Sequence, residues 1–313
     1  MSHLSLRRPE VSILKTCNIE SYMTLYHTLA LLLLCLLAML LPRSSSSSKV
    51  LDSSLRMLSN SGRALATCVV STASRGLGLE FAKHHLERSD ANNVIALCRQ
   101  PSRQLEELQT TYKSRLTIID NFHLDKQDTI VAAAEQIGKS CDSIDLLINS
   151  AGILGDNSPS KPGPERSING IDRDWLVKTL DTNLIGHIML TKELLPLIKK
   201  GQDSTVVNVS ARVGSIDDNK LGGWYSYRMS KAALNMFTKT LSLELKRHKC
   251  CVVSIHPGTT DTDLSVPFQK NVNPDKLFTT SYSVCQMYTN VIDKVTVADT
   301  GKFYAYDGTE IPY

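Results

Sequence analysis

The chain has 313 residues, of which 42% are hydrophobic and 21% are charged. This composition is ordinary for a globular protein, and the length suits one larger domain with an appendage. The formal net charge of +4 is small and not clustered, so we expect no nucleic-acid partner. The eight cysteines form no C-x-x-C pair, which argues against a metal site and favours a reducing compartment.

Residues 1–60 differ from the rest of the chain. Leu29–Leu41 is almost purely aliphatic but is shorter than the ~20 residues of a membrane-spanning helix. Five serines, Ser44–Ser48, follow it, and no clear small-x-small cleavage site is present. We interpret residues 1–60 as a targeting or anchoring segment with a Ser-rich linker; the alternative is an extension without a role. We expect an intracellular protein with a cytoplasmic catalytic domain, or one that this segment holds at a membrane through Leu29–Leu41 or delivers to an organelle.

Residues 61–313 alternate between apolar strands and amphipathic helices, which predicts an α/β fold with a doubly wound parallel sheet of the Rossmann type, in one domain. The strands are expected at Ala66–Ser71, Asn93–Cys98, Leu116–Ile119 (running toward Leu124-Asp125), Asp145–Asn149, Ser204–Val209, residues 251–255 and residues 301–306.

Polar and glycine residues follow each of the first six strands. In this architecture a ligand binds at the carboxyl ends of the strands, so these residues are expected to meet there. They are the glycine turn Thr72–Gly78 after the first strand, Arg99, Asp125, Asn149, Ser210, and Pro257-Gly258 after the sixth.

Tyr227 and Lys231 are four residues apart in a helical stretch and therefore share one face of a helix. A free tyrosine has a pKa near ~10, and a nearby positive charge lowers it. Such a tyrosine can exchange a proton with a substrate oxygen. The alternative is a surface Tyr-Lys pair without a catalytic role.

Over about residues 64–313 the chain resembles the short-chain dehydrogenase/reductase family. The matching stretches are the turn Ser74–Gly78, the Asn149–Gly152 sequence NSAG, Asn183 in TNLIG, Tyr227-x-x-x-Lys231, and the Pro257–Thr262 sequence PGTTDT. Within the family it is most similar to the C-factor-like, carbonyl-reductase-like branch, through residues 214–235 and the ending GKFYAYDGTEIPY.

The resemblance implies that NADPH gives hydride to a small-molecule carbonyl while Tyr227 gives a proton to its oxygen. Lys231 would lower the pKa of Tyr227 and bind the nicotinamide ribose, and Asn183 would hold a relay water. A homodimer or homotetramer is expected through the helices of Asn183 and Lys231. The cofactor site would comprise Ser71, Ser74, Arg75, Gly76, Leu77, Gly78, Arg99, Asp125, Asn149, Ala151, Gly152, Tyr227, Lys231, Pro257, Gly258, Thr260 and Thr262.

Charge favours NADP(H) over NAD(H). An NAD enzyme has an acid after the second strand to bind the ribose hydroxyls, but here Cys98-Arg99 occupies that place. Arg75 in the glycine turn supplies a second guanidinium, and two arginines can bind a 2′-phosphate. The alternative is that both arginines are solvated surface groups.

Asp125 would bind the adenine amino group or cap the next helix, and Thr262 would bind cofactor or cap a helix.

Two positions depart from the family pattern. The first glycine of its turn is replaced by Thr72, which costs about 1–3 kcal/mol if the position needs a glycine-only conformation. The family serine falls on Ala211, so we predict Ser210, or else Ser215, as the group that holds the carbonyl oxygen.

Three functions remain open from sequence. The first is an NADPH-dependent carbonyl reductase, favoured because Tyr227, Lys231 and Asn183 are all present. The second is an NADP-binding sensor or scaffold with little catalysis, which Thr72 and Ala211 suggest. The third is a reductase of lipid-like carbonyls tethered through Leu29–Leu41.

Overall fold

A parallel sheet forms the centre of the computed structural model, which describes residues 66–155 and 164–313. Within these residues seven strands pair in the order β3-β2-β1-β4-β5-β6-β9, all parallel. They are β1 (Thr67–Val70), β2 (Asn93–Leu97), β3 (Leu116–Ile119), β4 (Leu146–Asn149), β5 (Thr205–Val209), β6 (Cys251–His256) and β9 (Phe303–Ala305). A separate pair joins β7 (Thr259–Thr260) to β8 (Leu277–Phe278).

Helices cover both faces of this sheet, because its strands are apolar on both sides. The helices are α1 (Gly76–Arg88), α2 (Arg103–Tyr112), α3 (Gln127–Ser140), α4 (Arg173–Leu180), α5 (Gly186–Ile198), α6 (Tyr225–Leu245) and α7 (Thr280–Met287). One core packs α1, α2 and α7 against the odd-numbered side chains Val207 and Val253. The other packs α3, α5 and α6 against Val206 and Val252. The predicted doubly wound α/β fold is therefore confirmed.

Strand order reverses between β1 and β4, which are neighbours in the sheet although two strands separate them in sequence. The chain leaves β1 toward one face and β4 toward the other, so a crevice opens beyond their carboxyl ends. Register brings Val70 beside Ile148, so the turns after both strands start at the same level.

The predicted long helix around Asn183 is interrupted. A π-helical turn, Asp181–Ile185, joins α4 to α5 and holds Asn183 at its middle. A π turn inserts one extra residue into a helix, and such turns occur frequently at functional sites. A second π turn, Tyr288–Ile292, continues α7.

The third strand is shorter than its predicted run toward Asp125. It ends at Ile119, and an irregular segment leads from there to α3. The predicted cap role of Asp125 is also wrong, because α3 is preceded by Lys126 at its N-cap and has no side-chain cap.

The described residues lie within one compact unit, Ala64–Tyr313. Among their helices, none combines the length and the apolar character that crossing a membrane requires. The predicted anchor Leu29–Leu41 lies outside the described residues.

Candidate active site

A cavity of about 1030 Å³ opens at the carboxyl edge of the sheet. It is bordered by most of the residues predicted from sequence to form the site: Ser74, Arg75, Gly76, Leu77, Gly78, Arg99, Asp125, Ala151, Gly152, Ser210, Tyr227, Lys231, Pro257, Gly258, Thr260 and Thr262. Three predicted residues, Ser71, Asn149 and Asn183, do not border it and instead lie behind its wall.

The turn after β1 adopts the conformation that glycine favours, although it carries threonine. Thr72 has a φ of +57°, a region that costs about 1–2 kcal/mol for most side chains. Its hydroxyl donates to the Ser71 carbonyl at 2.7 Å and lies 3.3 Å from the Ser150 hydroxyl. These local hydrogen bonds offset part of the strain, so the turn forms despite the departure from the family pattern.

Gly78 lets α1 begin close to this turn. A Cβ at Gly78 would lie 2.3 Å from the Thr72 carbonyl oxygen, so no other residue fits there. Ser71 is fully buried and joins the two turns of the crevice: its hydroxyl accepts from the Ser150 amide at 2.9 Å. The Ser71 side chain therefore does not line the cavity, although sequence places Ser71 in the cofactor site.

Lys231 is the buried cation of the site. Its ammonium donates to the Val209 carbonyl at 2.8 Å, at the end of β5. The ammonium lies 5.8 Å from the centre of the Tyr227 ring. Gly214 makes room for this side chain, since a Cβ there would lie 2.7 Å from the Lys231 Cβ. The predicted shared helix face of Tyr227 and Lys231 on α6 is thus present.

Burial governs the protonation of this pair. It lowers the pKa of Lys231 from 10.5 to about 7 and raises the pKa of Tyr227 above its ordinary value. Desolvation is the cause of both shifts, because it disfavours the charged form of each group. The role expected of Lys231, to lower the pKa of Tyr227, stays a prediction.

The Asn183 side chain is fully engaged in holding the loop after β4. Its carbonyl oxygen accepts from the Ile153 amide at 2.8 Å. Its amide donates to the Ile153 carbonyl at 2.9 Å and to the Ser230 hydroxyl at 3.0 Å. Because these bonds join the π turn, the loop and α6, Asn183 fixes their relative positions. Its expected role in holding a relay water stays a prediction.

Asn149 serves the interior in a similar way. Its side chain is fully buried and donates to Asn208 at 2.8 Å and to Thr191 at 3.1 Å. The side chain thus points into the core and ties β4 to β5 and α5, while the predicted place of Asn149 in the cofactor site stays a prediction.

Ala211, at the position of the family serine, packs against Tyr227 and Leu154. Ser210 precedes it directly, just after the end of β5, and also borders the cavity. Its hydroxyl is buried and has no hydrogen-bond partner within the described residues. The Ser215 hydroxyl accepts from the Asp218 amide at 3.0 Å and is committed to that loop. The catalytic role of Ser210 stays a prediction, and the packing favours Ala211 as the residue beside Tyr227.

One wall of the cavity is apolar. It consists of Leu154, Ala211, Tyr227, Val213, Trp224, Leu264 and Phe268. The Trp224 ring centre is 5.1 Å from that of Phe268 and 6.4 Å from that of Tyr227. A substrate reaching the Tyr227 hydroxyl therefore passes an aromatic surface.

The mouth of the cavity carries charged groups. Arg75 forms an ion pair of 3.0 Å with Asp263, and both side chains are largely exposed. Arg99 borders the cavity and is paired with no acid in the described part of the chain. The predicted role of Thr262 as a helix cap is wrong, because no helix starts there. Its side chain instead faces the glycine turn: a Cβ at Gly76 would lie 3.6 Å from the Thr262 methyl group.

Glu165 lies next to the site but was not predicted from sequence as one of its residues. It is 8% exposed and its carboxylate accepts from the amide of Ser226 at 3.3 Å and from the Ser226 hydroxyl. Its carbonyl accepts from the Trp224 amide at 2.5 Å, where Trp224 has a φ of +53°. Glu165 therefore holds the start of α6, directly before Tyr227.

His187 was also missed. It lies one helical turn after Asn183, is fully buried, and neither ring nitrogen has a hydrogen-bond partner within the described residues. Burial, together with the charge of Lys231, lowers the pKa of His187 from 6.5 to about 3. The imidazole is therefore neutral at physiological pH.

The comparisons with known proteins agree with this geometry. The family model for short chain dehydrogenase matches residues 66–273. The C-signal protein of Myxococcus xanthus is 34% identical over 170 residues, 54% of this chain and 93% of that protein. An uncharacterized oxidoreductase of Schizosaccharomyces pombe is 29% identical over 78% of this chain and 96% of its own length.

Solved structures give the same result. The NADPH-bound carbonyl reductase from chicken fatty liver superposes with a TM-score of 0.69 at 29% identity, covering 80% of this chain and 99% of that one. The chain belongs to the short-chain dehydrogenase family and is an oxidoreductase of that family. In the described ranges no group of three His, Cys, Asp or Glu side chains is arranged to hold a metal ion.

Replacement of Glu165 by alanine is expected to lower the free energy of unfolding by about 1–3 kcal/mol, because it leaves buried donors of Ser226 unpaired. Urea unfolding of the full-length chain measures this. Glu107→Ala is the matched control: its ion pair with Arg103 is exposed, so the expected change is below about 0.5 kcal/mol. Equal effects of the two variants would contradict the assigned role of Glu165.

His187→Leu is expected to reduce the acid sensitivity of folding. The unfolded chain binds a proton at His187 below pH 6.5, whereas the folded chain does so only near pH 3. Wild-type stability is thus lost as pH falls through this window, by about 2 kcal/mol between pH 7 and pH 5 from this residue alone. Urea unfolding at both pH values measures the difference, and an unchanged pH dependence in the variant would contradict it.

Proposed function

We propose that this chain reduces an aldehyde or ketone with NADPH, with Tyr227 as the general acid. The observation that carries the proposal is the buried Tyr227–Lys231 pair at the inner end of a cavity whose mouth holds a glycine turn and two arginines. Phenol, amine and cavity occur together at the carboxyl edge, where this fold binds ligands.

The residues present fit a dinucleotide. Gly76 has a φ of +56° and opens the start of α1, where a pyrophosphate binds favourably at a helix N-terminus. A Cβ at Gly152 would lie 3.7 Å from the Lys231 ammonium, so glycine keeps that approach open for a ribose. Further binding residues would be Ser74, Leu77, Gly78, Ala151, Pro257, Gly258, Thr260, Thr262 and, at the adenine, Asp125. The NADPH-bound chicken relative supports this choice of cofactor.

Arg75 and Arg99 support selection of NADPH over NADH. Two guanidinium groups border the cavity, and Cys98-Arg99 directly after β2 stands where an NAD enzyme carries its ribose-binding acid. Guanidinium groups bind phosphate through paired hydrogen bonds. Arg75 would exchange its present partner, Asp263, for the 2′-phosphate.

The protein's contribution to the chemistry is the position and charge of its donors. Bound NADPH supplies a hydride to the carbonyl carbon. Burial raises the pKa of Tyr227, so the phenol holds its proton, and it would give that proton to the carbonyl oxygen as negative charge develops there. Lys231, held by Val209, would stabilise the resulting phenolate as an ammonium ion.

The substrate is proposed to be an apolar carbonyl compound. Trp224, Phe268 and Leu264 form its wall, and desolvating polar groups against such a wall is costly. Carbonyl groups beside a ring or an alkyl chain would therefore be preferred over highly hydroxylated ones.

A second function, an NADP-binding sensor or scaffold, is supported by Ala211. With alanine beside Tyr227, the site lacks the serine hydroxyl that would help to polarise the carbonyl. A protein of this kind would bind NADPH without turning over carbonyl substrates.

Self-association is proposed through the helices that carry Asn183 and Lys231. Met229, Met236 and Leu243 lie seven residues apart on α6 and are 43%, 67% and 68% exposed. Ile185 in the π turn is 45% exposed. We also retain residues 61–313 as the dinucleotide-binding domain and residues 1–60 as its targeting or anchoring segment.

Tyr227→Phe is expected to lower the turnover of NADPH with a panel of aromatic and aliphatic aldehydes and ketones by at least about 10²-fold, because the proton donor is lost. NADPH affinity should change less than about threefold. Tyr225→Phe, two residues earlier on α6 and outside the cavity, is the control and should keep wild-type turnover. NADPH binding without turnover in the wild type would favour the sensor.

Ala211→Ser is expected to raise turnover about tenfold, because a hydroxyl beside Tyr227 adds a donor to the carbonyl oxygen. Ser210→Ala should alter it less than about threefold. Steady-state rates of both variants measure this. A loss of about 10²-fold in Ser210→Ala would instead make Ser210 the donor, as the sequence predicts, and contradict the assignment based on the packing of Ala211 beside Tyr227.

A further inference from the structure

The ion pair between Arg75 and Asp263 joins two parts of the site that are 188 residues apart in sequence. Arg75 lies at the N-cap of α1, in the glycine turn. Asp263 lies between Thr262, which faces Gly76, and Leu264, which belongs to the apolar wall. The pair therefore spans the mouth of the cavity on the side where the turn and the segment after β7 meet.

The pair contributes little to folding. The side chains of Arg75 and Asp263 are 69% and 73% exposed, and exposed ion pairs are weak because water and salt screen them. A phosphate dianion is a stronger partner for a guanidinium than one carboxylate, because it offers more charge and more acceptor oxygens. Arg75 can thus exchange Asp263 for a phosphate at small cost.

A neighbouring acid does not share this position. Asp261 accepts from the Gln269 amide at 2.8 Å and forms no ion pair with Arg75 among the described residues. It lies on the same segment and also borders the cavity. The contact with Arg75 is therefore specific to Asp263 rather than a property of the acidic segment.

We propose that Asp263 is a specificity-determining residue that competes with the 2′-phosphate of NADPH for Arg75. The inference rests on the proposed function, because it assigns Arg75 to that phosphate. Asp263 would oppose the binding of NADPH by occupying Arg75 and by adding a negative charge beside the guanidinium that would hold the phosphate. It leaves NADH, which lacks the phosphate, unaffected. The ratio of the affinities for NADPH and NADH is thus set by Asp263 as well as by Arg75 and Arg99.

The test is the dissociation constant of NADPH and of NADH, followed by nicotinamide fluorescence with the full-length chain at low salt. Asp263→Asn is expected to tighten NADPH by about three- to tenfold and to change NADH by less than twofold. Asp261→Asn, the matched control, should change either by less than about twofold. The gain should disappear in the Arg75→Gln background and shrink as salt is raised.

Other outcomes would overturn the proposal. Unchanged or weaker NADPH binding in Asp263→Asn would mean that Asp263 does not compete, and equal tightening of NADPH and NADH would mean that it only restricts the cavity mouth. An equal gain from Asp261→Asn would reduce the effect to general charge. NADPH affinity that is unchanged in Arg75→Gln would likewise overturn the competition for Arg75. The proposed function fails separately, if the wild type binds neither NADPH nor NADH.

Discussion

The buried ammonium of Lys231 is the constraint on which the carboxyl edge of the sheet depends. A charged group taken out of water needs a close acceptor, and the Val209 carbonyl supplies one at 2.8 Å at the end of β5. The surroundings are shaped to admit it: Gly214 leaves space beside its Cβ, and Gly152 leaves space before its ammonium. The Lys231 side chain thereby lies between the end of β5 and the loop of Gly152, and Asn183 holds that loop from the other side.

The same burial determines how protons are distributed. Burial raises the pKa of the Tyr227 phenol and lowers the pKa of the Lys231 amine to about 7. His187 and Glu165 extend the buried polar region behind and before the pair: the first stays neutral, and the second holds the start of α6.

The fold was predictable because continuous Val, Ile and Leu strands separated by amphipathic helices permit few architectures. Residues carried by local motifs, such as Gly76, Gly152 and Lys231, were also placed correctly at the cavity. Ser71 and Asn149 were not, because side chains alternate between faces and a motif does not state which face meets the ligand. Contacts between residues that are distant in sequence could not be predicted. Glu165 binds Ser226 across 61 residues and Arg75 binds Asp263 across 188 residues, and no local sequence pattern indicates either contact. The π turn at Asn183 likewise has no signature in its sequence.

The most direct test of the central claim is a titration of the full-length wild-type chain with NADPH and with NADH at one salt concentration. The account predicts micromolar binding of NADPH, several-fold tighter than that of NADH, because Thr72 accommodates the turn and the arginines recognise the 2′-phosphate. Absence of binding to both would mean that the first turn of the site cannot accept a dinucleotide, and the assignment as a reductase would be wrong.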